Sequence, residues 1–444
     1  MRALAAFVAV FAIACGGNHK GTSNSSGGDD DDDDASPDAC TGLQCQVVDC
    51  AAMSMPDTTL SGTVYAPNGT LPLYGITVYV PNTDPGPFTD GVACSQCAAT
   101  LPGNPITSAT SDATGHFSLP SVPQGDNIPL IITSGKWRRQ IVIPHVNQCA
   151  DNPLVADDTR LPKNKTEGDI PKIAITTGSA DSLECLPRRL GLDDAEVTTE
   201  ASDGRINLYN GNGVSSISGQ GSLTNATALW SSLDAMKAYD ILIFSCEGAQ
   251  NAGTKPQASM DNVKMYADLG GRLFLSHWHN IWIEGATQGG DGHAPQVWPS
   301  IATWSDSNHG IDGPDTIDEV NNPKGPSFAQ WMLAVGGSTT QDQIDLVSGT
   351  GKTTCNTVDN SKAERWTYVD DGGEKVQNFQ FTTPNEGDQS ARCGKVVFSD
   401  MHVSGGPGSN TYPGDCGSSL DLTPQEKALA FMFFDIASCI QVIE

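Results

Sequence analysis

Three short stretches decide the fold: AYDILIFSCEG at residues 238–248, MYADLGGRLFLSHWHN at 265–280 and GKVVFSDMH at 394–402. Each contains an unbroken run of apolar residues, which is typical of a strand buried on both faces of a parallel sheet. Residues 256–269 have helical spacing and connect the first two runs, as a crossover between parallel strands requires. We therefore predict that residues 170–444 form an α/β domain around a parallel sheet.

Further elements extend this domain along the chain. Residues 172–176 and 196–199 are predicted strands, and the segments 179–190 and 226–238 are predicted helices. The closing helix begins with Thr423-Pro-Gln-Glu426, which supplies an N-cap, a proline at the first helical position and a capping-box glutamate. Residues from about 285 to 367 fit neither pattern, and we predict that they form an irregular insertion.

The three stretches and the closing helix resemble the class I glutamine amidotransferase-like fold, and more closely its trehalose-utilisation (ThuA-like) branch. The resemblance covers residues 171–439 and implies a flavodoxin-like parallel sheet. Catalytic members place a nucleophilic cysteine on the turn after the fourth strand, followed later by a histidine and a glutamate. The matching turn here contains Ser276, His277 and Trp278 and no cysteine. His402 matches the later histidine, so the resemblance implies a degenerate domain that has lost the glutaminase machinery.

The carboxyl ends of the predicted parallel strands are where such sheets bind ligands. The turn Thr177-Gly178-Ser179 follows the first strand, and the other predicted ends lie near residues 246, 277 and 400. Our candidate pocket residues at this edge are Ser179, Cys246, Glu247 and Trp278.

A metal site is one candidate at the same edge. His277 and His279 are two residues apart, so on an extended segment both side chains would face the same way. Asp400 and His402 repeat this spacing on the last strand. Imidazole and carboxylate groups are zinc ligands, and the four side chains together predict a zinc or similar site. The alternative is hydrogen-bonded packing of these histidines beneath the insertion.

A second candidate cation site lies in the insertion, where acidic residues are crowded. Calcium takes six to eight oxygen ligands, and loops of exported proteins can supply them. The spacing lacks the EF-hand pattern, and a solvated acidic loop is the alternative reading. The residues concerned are Asp306, Asn308, Asp312, Asp315, Asp318 and Glu319.

Residues 58–149 have a different character, with short alternating strands separated by turn residues. The runs SGTVYAPNGTLPLYGITVYVP at 61–81 and TSDATGHFSLPSVPQG at 110–125 resemble the carboxypeptidase regulatory-like family. This resemblance implies a small all-β, transthyretin-like sandwich, whose relatives are accessory or adhesive modules. A polar stretch at 150–169 is the predicted linker to the α/β domain.

The N-terminal residues predict export. Residues 1–15 combine Arg2, a twelve-residue apolar run and Cys15, as in a bacterial lipoprotein signal peptide with a lipobox cysteine. Lipid on Cys15 would anchor the protein at the cell envelope, and Gly16 after it favours the outer membrane. An ordinary signal peptide is the alternative. Residues 16–39 are predicted to be a disordered acidic tether, and residues 40–57 a cysteine-rich knot.

The chain has 13 cysteines, and an even number remains once Cys15 is assigned to lipid. Even cysteine counts in exported proteins usually indicate disulfides, although the pairing cannot be deduced from sequence. On this reading Cys246 is bridged and is no nucleophile, since only a thiolate attacks. The disulfide candidates are Cys40, Cys45, Cys50, Cys94, Cys97, Cys149, Cys185, Cys246, Cys355, Cys393, Cys416 and Cys439.

A formal net charge of −28 argues against nucleic acid and anionic membrane surfaces as partners. The favoured function is a non-catalytic binding or adhesion module at the cell envelope, with a carbohydrate or a protein as ligand. One alternative is a metal-assisted hydrolase that uses His277, His279, Asp400 and His402. The other is a structural envelope protein with no ligand.

Overall fold

Seven strands near the N-terminal side form two small sheets, which agrees with the predicted β-rich region. One sheet has the order β4-β1-β7 and the other the order β3-β2-β5-β6. Residues on β4 alternate between exposed and buried, as expected for a sheet with one wet face. The strands are β1 Thr59–Thr63, β2 Thr77–Pro81, β3 Pro105–Thr110, β4 His116–Leu119, β5 Gly125–Ser134, β6 Trp137–Val146 and β7 Asp151–Pro153.

The computed structural model describes residues 40–97, 100–285, 298, 300–305, 308–403 and 410–440. The predicted signal peptide with Cys15 and the predicted tether of residues 16–39 lie outside the described residues. Residues 41–444 form one compact unit. Among the described residues, no helix has both the length and the apolar character needed to cross a membrane.

A large mixed sheet dominates the rest of the chain. Its order is β17-β16-β19-β20-β21-β14-β13-β8-β10-β9. The strands from β9 to β21 in this order are parallel, and β20, β19, β16 and β17 extend the sheet antiparallel. The further strands are β8 Ile173–Thr177, β9 Val197–Thr198, β10 Ile206–Asn210, β11 Ser216–Ile217, β12 Gly221–Ser222, β13 Ile241–Phe244, β14 Arg272–Ser276, β15 Ala302–Trp304, β16 Asp315–Ile317, β17 Gln343–Ile344, β18 Cys355–Val358, β19 Glu364–Asp370, β20 Glu374–Thr383, β21 Gly394–Ser399 and β22 Thr411–Tyr412.

The predicted helix at 256–269 and the predicted closing helix are both present, as Gln257–Asp268 and Pro424–Ala437. The predicted capping box of the last helix is present, since Thr423 Oγ1 accepts from the Glu426 N–H while Glu426 accepts from the Thr423 N–H. The α-helices are α1 Ala156–Thr159, α2 Leu186–Arg189, α3 Thr227–Trp230, α4 Leu233–Lys237, α5 Gln257–Asp268, α6 Ile281–Glu284, α7 Gly325–Ala334 and α8 Pro424–Ala437. The predicted helix at 179–190 is reduced to a 3₁₀ turn at Leu183–Cys185 and the single turn of α2, and the predicted helix at 226–238 is divided into α3 and α4.

Two predicted irregular stretches have regular structure. The predicted linker, residues 150–169, contains β7, which pairs in parallel with β1, and helix α1. The predicted insertion contains α7 and the strands β15 to β18, of which β16 and β17 belong to the large sheet. The strands β15 to β18 are only two to four residues long, which is too short for the sequence to show a periodic pattern of apolar residues. Residues 286–297 and Asp306 of the insertion lie outside the described residues.

The β-rich part and the α/β part share one hydrophobic core. Trp137 of β6 is fully buried and packs against Phe433 and Phe434 of α8, with ring centroids 6.0 and 5.7 Å apart. Tyr74 stacks on Phe431 of the same helix at 5.6 Å. Helix α8 is apolar nearly all round because it is buried between the two parts.

Disulfides join distant parts of the chain, as the cysteine count predicted. Four bridges pair Cys50 with Cys149, Cys94 with Cys393, Cys97 with Cys439 and Cys185 with Cys416. Cys40 and Cys45 are also in disulfides.

Two cysteines contradict the prediction that all of these residues are bridged. Cys246 and Cys355 are buried free thiols. An even count says only that pairing is numerically allowed: Cys246 lies in the loop after β13 and Cys355 begins β18, and neither is bonded to another cysteine. The expectation that Cys246 is bridged was therefore wrong, and its sulfur is available for chemistry.

Candidate metal centre

The loops after the parallel strands meet at the carboxyl edge of the large sheet. A Cβ atom at Gly178 would lie 2.1 Å from the Cys246 carbonyl oxygen, so the loops after β8 and β13 approach closely only because residue 178 is glycine. Ser179 Oγ donates to the Glu247 carbonyl at 3.1 Å, and the Ser179 N–H donates to Asn212 Oδ1 at 2.9 Å. Ser179 therefore positions the loop that contains Cys246.

Three side chains converge beside this loop, and we call them the Cys-His-His centre: Cys246, His277 and His402. Cys246 Sγ lies 3.4 Å from His277 Nδ1, which lies 3.0 Å from His402 Nε2. All three ligand atoms lie within 4.8 Å of one another. Cys246 and His277 are almost fully buried, whereas His402 is half-buried. Among the described residues, His402 is therefore the most exposed member of the centre.

His277 lies at a sharp turn directly after β14. Its φ of 41° is in the left-handed region, which is uncommon for a residue with a side chain. The His277 ring stacks on Trp278, with centroids 4.6 Å apart. The backbone N–H of Trp278 also favours the thiolate form of Cys246, although burial is the larger influence on that thiol. Backbone strain of this kind concentrates at functional sites.

Asp400 lies behind His277. Its Oδ1 is 3.9 Å from His277 Nε2 and has no hydrogen-bond partner in the described part of the chain. Asp400 Oδ2 accepts from the backbone N–H groups of Thr354 at 2.8 Å and Cys355 at 3.1 Å. Burial raises the pKa of Asp400 to about 6. A carboxylate behind a histidine is the usual second contact of a metal-binding imidazole.

Burial also sets the protonation of the ligands. It lowers the pKa of His277 well below its ordinary value, with the neighbouring His402 as the next cause. Burial and the charge of Lys352 lower the pKa of His402 to about 4. Both imidazoles are therefore neutral at pH 7, the form that binds metals. Burial raises the pKa of Cys246 to about 12, so a cation would have to displace the thiol proton.

His279 is not a member of the centre, and its prediction as a metal ligand was wrong. Residues 277–280 form a 3₁₀ turn instead of an extended segment, so His277 and His279 face different ways. His279 Nε2 donates to the Ser245 carbonyl at 2.9 Å, and its Nδ1 accepts from Trp282 Nε1–H at 2.9 Å. Both ring nitrogens are thus occupied by protein partners, and burial lowers the pKa of His279 to about 3.

Glu247 faces a different space from its neighbour Cys246. Lys255 Nζ and Asn251 Nδ2 donate to Glu247 Oε2 at 2.7 and 2.8 Å. Glu247 and Lys255 form an ion pair in which both side chains are buried. The adjoining cavity measures about 320 Å³. Its lining residues are Gly211, Asn225, Ala226, Thr227, Trp230, Glu247, Asn251, Ala252, Gly253 and Thr254.

The predicted calcium residues do not converge in the described part of the chain. Asp315 is fully buried in β16, and Asp318 accepts from Arg365 Nε at 2.7 Å. Asp312 accepts from the Gly349 N–H, and Glu319 accepts from Gln341. These carboxylates serve separate structural contacts because the acidic stretch is folded into strand and turns. The alternative of a wholly solvated loop was also wrong, since Asp315 has no solvent exposure.

Comparison with known proteins adds little to this picture. No protein-family model matches the chain, and no curated protein matches it. A protein of Bacteroides uniformis ATCC 8492 described as ThuA-like has 10% identity over 59% of this chain and 88% of its own, with a TM-score of 0.30. Two cohesin–X-dockerin complexes of Acetivibrio cellulolyticus, at 16% and 17% identity, cover 33% of this chain and 79% of their own with TM-scores of 0.16. TM-scores this low support no argument about fold or function.

Proposed function

We propose that this protein is a metal-assisted hydrolase whose metal, zinc first, binds at the Cys-His-His centre. The convergence of Cys246 Sγ, His277 Nδ1 and His402 Nε2 is the observation that supports it most directly. In a tetrahedral zinc site, neighbouring ligand atoms lie about 3.3 to 3.6 Å apart. The separations of 3.4 and 3.0 Å therefore need only small shifts to hold the ion.

The number of ligands favours catalysis over a structural role. Structural zinc is held by four protein ligands, whereas catalytic zinc keeps a fourth position for water. The described residues bring three ligands together, and His402 is the least buried of the three. Bound zinc lowers the pKa of its water to about 7, which supplies a hydroxide nucleophile at neutral pH. Because Cys246 and His277 are buried, we expect a small substrate or a narrow substrate group.

Metal content tests the proposal directly. We expect about one zinc, iron or manganese per chain by plasma mass spectrometry of the purified protein. Cys246→Ala and His402→Ala should each abolish stoichiometric metal, because two remaining ligands hold zinc weakly. His309→Ala is the matched control, since His309 is an exposed histidine that pairs with Asp371 at 2.8 Å. Absence of metal even after incubation with zinc would contradict the proposal.

Activity separates catalysis from simple metal binding. The zinc-loaded chain should hydrolyse 4-nitrophenyl acetate faster than the chelated chain and faster than the His402→Ala variant. Stoichiometric zinc without any chelator-sensitive hydrolysis of activated esters or phosphate diesters would argue against a hydrolase. That result would leave the metal-binding assignment intact.

Binding without catalysis is the second candidate, and the cavity beside Glu247 favours it. Its volume of about 320 Å³ suits a small molecule, and its walls present a carboxylate, two amides and two hydroxyl groups. A ligand there would need both donor and acceptor groups, as a carbohydrate has. Saturable calorimetric binding of monosaccharides that is lost in Glu247→Gln would support this function.

The finer fold and location assignments are also proposals. We infer a flavodoxin-like sheet, because the order β10-β8-β13-β14-β21 corresponds to 2-1-3-4-5. Two sheets of three and four strands support a transthyretin-like β part. We propose export, lipid attachment at Cys15 and an envelope location, which the apolar run of residues 3–14 before that cysteine supports. A purely structural role lacks a supporting observation of its own.

A further inference from the structure

A cavity of about 540 Å³ lies at the amino edge of the large sheet. Lys172 directly precedes β8 and Arg205 directly precedes β10, and both residues line the cavity. The β-rich part contributes Phe88 and Asp90 to the walls, and the segment 165–170 adds several more residues. Because β8 and β10 are parallel, this edge is opposite to the carboxyl edge with the Cys-His-His centre. The cavity is therefore separate from the proposed metal centre.

Charged side chains dominate the walls of this cavity. Four cations line it against three carboxylates, although the chain as a whole has a formal net charge of −28. Three of the four cations are paired with a carboxylate: Lys136 with Asp240, Lys165 with Asp203 and Arg205 with Asp90. The fourth cation, Lys172, is therefore the one that can pair with a ligand.

Lys172 has no anionic partner in the described part of the chain. Its ammonium group forms neither a hydrogen bond nor an ion pair with these residues, and it lies 5.4 Å from the centroid of the Tyr239 ring. The three N–H donors of the ammonium group are therefore available. The backbone N–H of Lys172 donates to Asp240 Oδ2 at 2.6 Å, so the position of the residue does not depend on its side chain. Because the half-buried Lys172 lines the cavity, it can receive the anionic group of a ligand.

The carboxylates of the walls can accept further hydrogen bonds. Arg138 Nε donates to Asp169 Oδ2 at 2.8 Å, whereas Asp169 Oδ1 accepts from no group in the part of the chain that the structure describes. The hydrogen bond from Arg205 lowers the pKa of Asp90, and the charge of Lys172 adds to this effect. Ionised carboxylates accept hydrogen bonds from hydroxyl groups and repel a second anion. The walls therefore favour a ligand with several hydroxyl groups and only one negative charge.

We propose that this cavity binds a hydroxylated carboxylic acid such as a uronic acid. The carboxylate of the ligand would pair with Lys172, and its hydroxyl groups would donate to Asp169 and Asp90. Phe88 and Ile170 add apolar surface for the carbon skeleton. A volume of about 540 Å³ is within the usual range for small-molecule pockets, so a single sugar ring fits. This site does not depend on the proposed metal centre.

Ligand selectivity tests the proposal. Calorimetric titration of the full chain with D-glucuronate and with D-galacturonate should show saturable binding of one molecule per chain. D-Glucose and D-galactose lack the carboxylate, and acetate lacks the hydroxyl groups, so each should bind at least about tenfold more weakly. Inorganic phosphate detects a plain anion site, which would bind it as tightly as a uronate. That result would overturn the proposal, as would no saturable binding of either uronate, or equal affinity for a uronate and its neutral sugar.

Substitutions of Lys172 identify the site. Lys172→Met should weaken uronate binding at least about tenfold, whereas Lys172→Arg keeps the cation and should retain most of the affinity. Lys427→Met is the matched control, because Lys427 is also half-buried and its Nζ donates to the Gly336 carbonyl at 3.0 Å. Unchanged uronate affinity in Lys172→Met would overturn the proposal.

Two background variants separate this site from the proposed functions. Uronate binding should persist in Cys246→Ala/His402→Ala, which lacks the metal centre, and in Glu247→Gln, which alters the cavity beside Glu247. Loss of uronate binding in Glu247→Gln would assign the ligand to that cavity and would overturn the proposal. The outcome for the metal centre and the outcome for this cavity are thus independent.

Discussion

Asp400 is buried at the end of β21, with one oxygen held by two backbone N–H groups and the other directed at His277. The 3.9 Å gap to His277 Nε2 is slightly too long for a hydrogen bond. A metal ion on Nδ1 would fix the proton on Nε2 and would make this contact favourable. At the proposed metal site Asp400 would therefore orient the His277 ring; contrary to its prediction as a ligand, it is not part of the group of converging ligand atoms among the described residues.

Replacing Asp400 by asparagine tests this role. Asp400→Asn should lower zinc affinity about 10- to 100-fold, the usual effect of losing the carboxylate behind a ligand histidine. Competition with a chromogenic chelator measures the change. Asp371→Asn is the control, because it removes a carboxylate from the exposed His309. An Asp400→Asn protein with wild-type affinity would show that Asp400 does not support His277.

Asp315 predicts a pH dependence of stability. Burial raises the pKa of Asp315 to about 8, so this carboxyl is protonated in the folded chain at pH 7 and ionised in the unfolded chain. The contribution of Asp315 to the free energy of unfolding is therefore fully present below about pH 4 and is lost as the pH rises towards 8. The free energy of unfolding falls by up to about 1.4 kcal/mol per pH unit in this range. Asp315→Asn should remove this slope and stabilise the protein most near pH 8.

Urea unfolding between pH 5 and pH 8 measures the effect of Asp315→Asn. The difference in unfolding free energy between variant and wild type should grow with pH. Asp312→Asn is the control, because Asp312 is exposed. A difference that is independent of pH would show that Asp315 is ionised in the fold.

The sequence predicted the metal residues only in part. His277 and His402 were found because they follow strand ends, and the carboxyl ends of parallel strands meet at one edge. Asp400 was predicted as a ligand but lies behind His277, outside the converging ligand atoms. His279 was included wrongly, because the pattern of alternate residues assumes an extended backbone and residues 277–280 turn. Cys246 was assigned to a disulfide, since cysteine parity contains no distances.

The elements that position the centre depend on glycines in the loops between strands. Gly178 lies against the Cys246 carbonyl, and Gly213 lies against the backbone of Gly178. A side chain at either position would separate the loops after β8, β10 and β13. The approach of the loops, more than any single hydrogen bond, determines where Cys246 lies relative to β14.

Gly178→Ala should therefore damage both stability and the centre. The added Cβ would lie 2.1 Å from the Cys246 carbonyl oxygen, so the loop has to shift. We expect a loss of about 2 kcal/mol or more in unfolding free energy and a clear fall in zinc affinity. Gly253→Ala is the matched control, because nothing lies within 4 Å of its Cβ position. Equal zinc affinity in both variants would contradict the argument.

At the level of elements, long periodic segments were predictable and short ones were not. The runs at β13, β14 and β21 are buried on both faces and appear as continuous apolar sequence. The antiparallel strands β16 and β17 have two or three residues and are defined by their partners. Pairing across the insertion depends on tertiary contacts, which a local pattern does not contain.

Two of the disulfides join the same pair of distant segments, residues 94–97 and residues 393–439. Cys94–Cys393 and Cys97–Cys439 close sequence separations of 299 and 342 residues. Cys94 and Cys97 are close in sequence, and their partners Cys393 and Cys439 are also separated by a short segment. Once one bridge is present, the other therefore closes an effective loop of only about 50 residues, which consists of these two segments. The two bridges therefore overlap in the conformational freedom that they remove from the unfolded chain.

This overlap predicts non-additive stability. Removing both bridges should cost about 0.7 kcal/mol more than the sum of the two single removals, because the remaining Cys185–Cys416 bridge already shortens each long loop to roughly 110 residues. A double-mutant cycle with Cys94→Ser/Cys393→Ser and Cys97→Ser/Cys439→Ser, followed by urea unfolding, measures the difference. The pair Cys50–Cys149 supplies the control: its loop shares residues 94–149 with the two long loops, but neither long bridge offers a shorter path between its ends, so it should add nearly independently to either one. Strict additivity for the first pair would contradict the loop argument.

The same two bridges change what a single cut in the backbone would do. A protease that cleaves an exposed turn such as residues 371–373 breaks the chain between Cys97 and Cys393. The two fragments would remain covalently joined, and the nicked protein would migrate as one species on a gel until a reductant is added. A protein built in this way can lose the continuity of its backbone in a protease-rich environment and still remain one molecule.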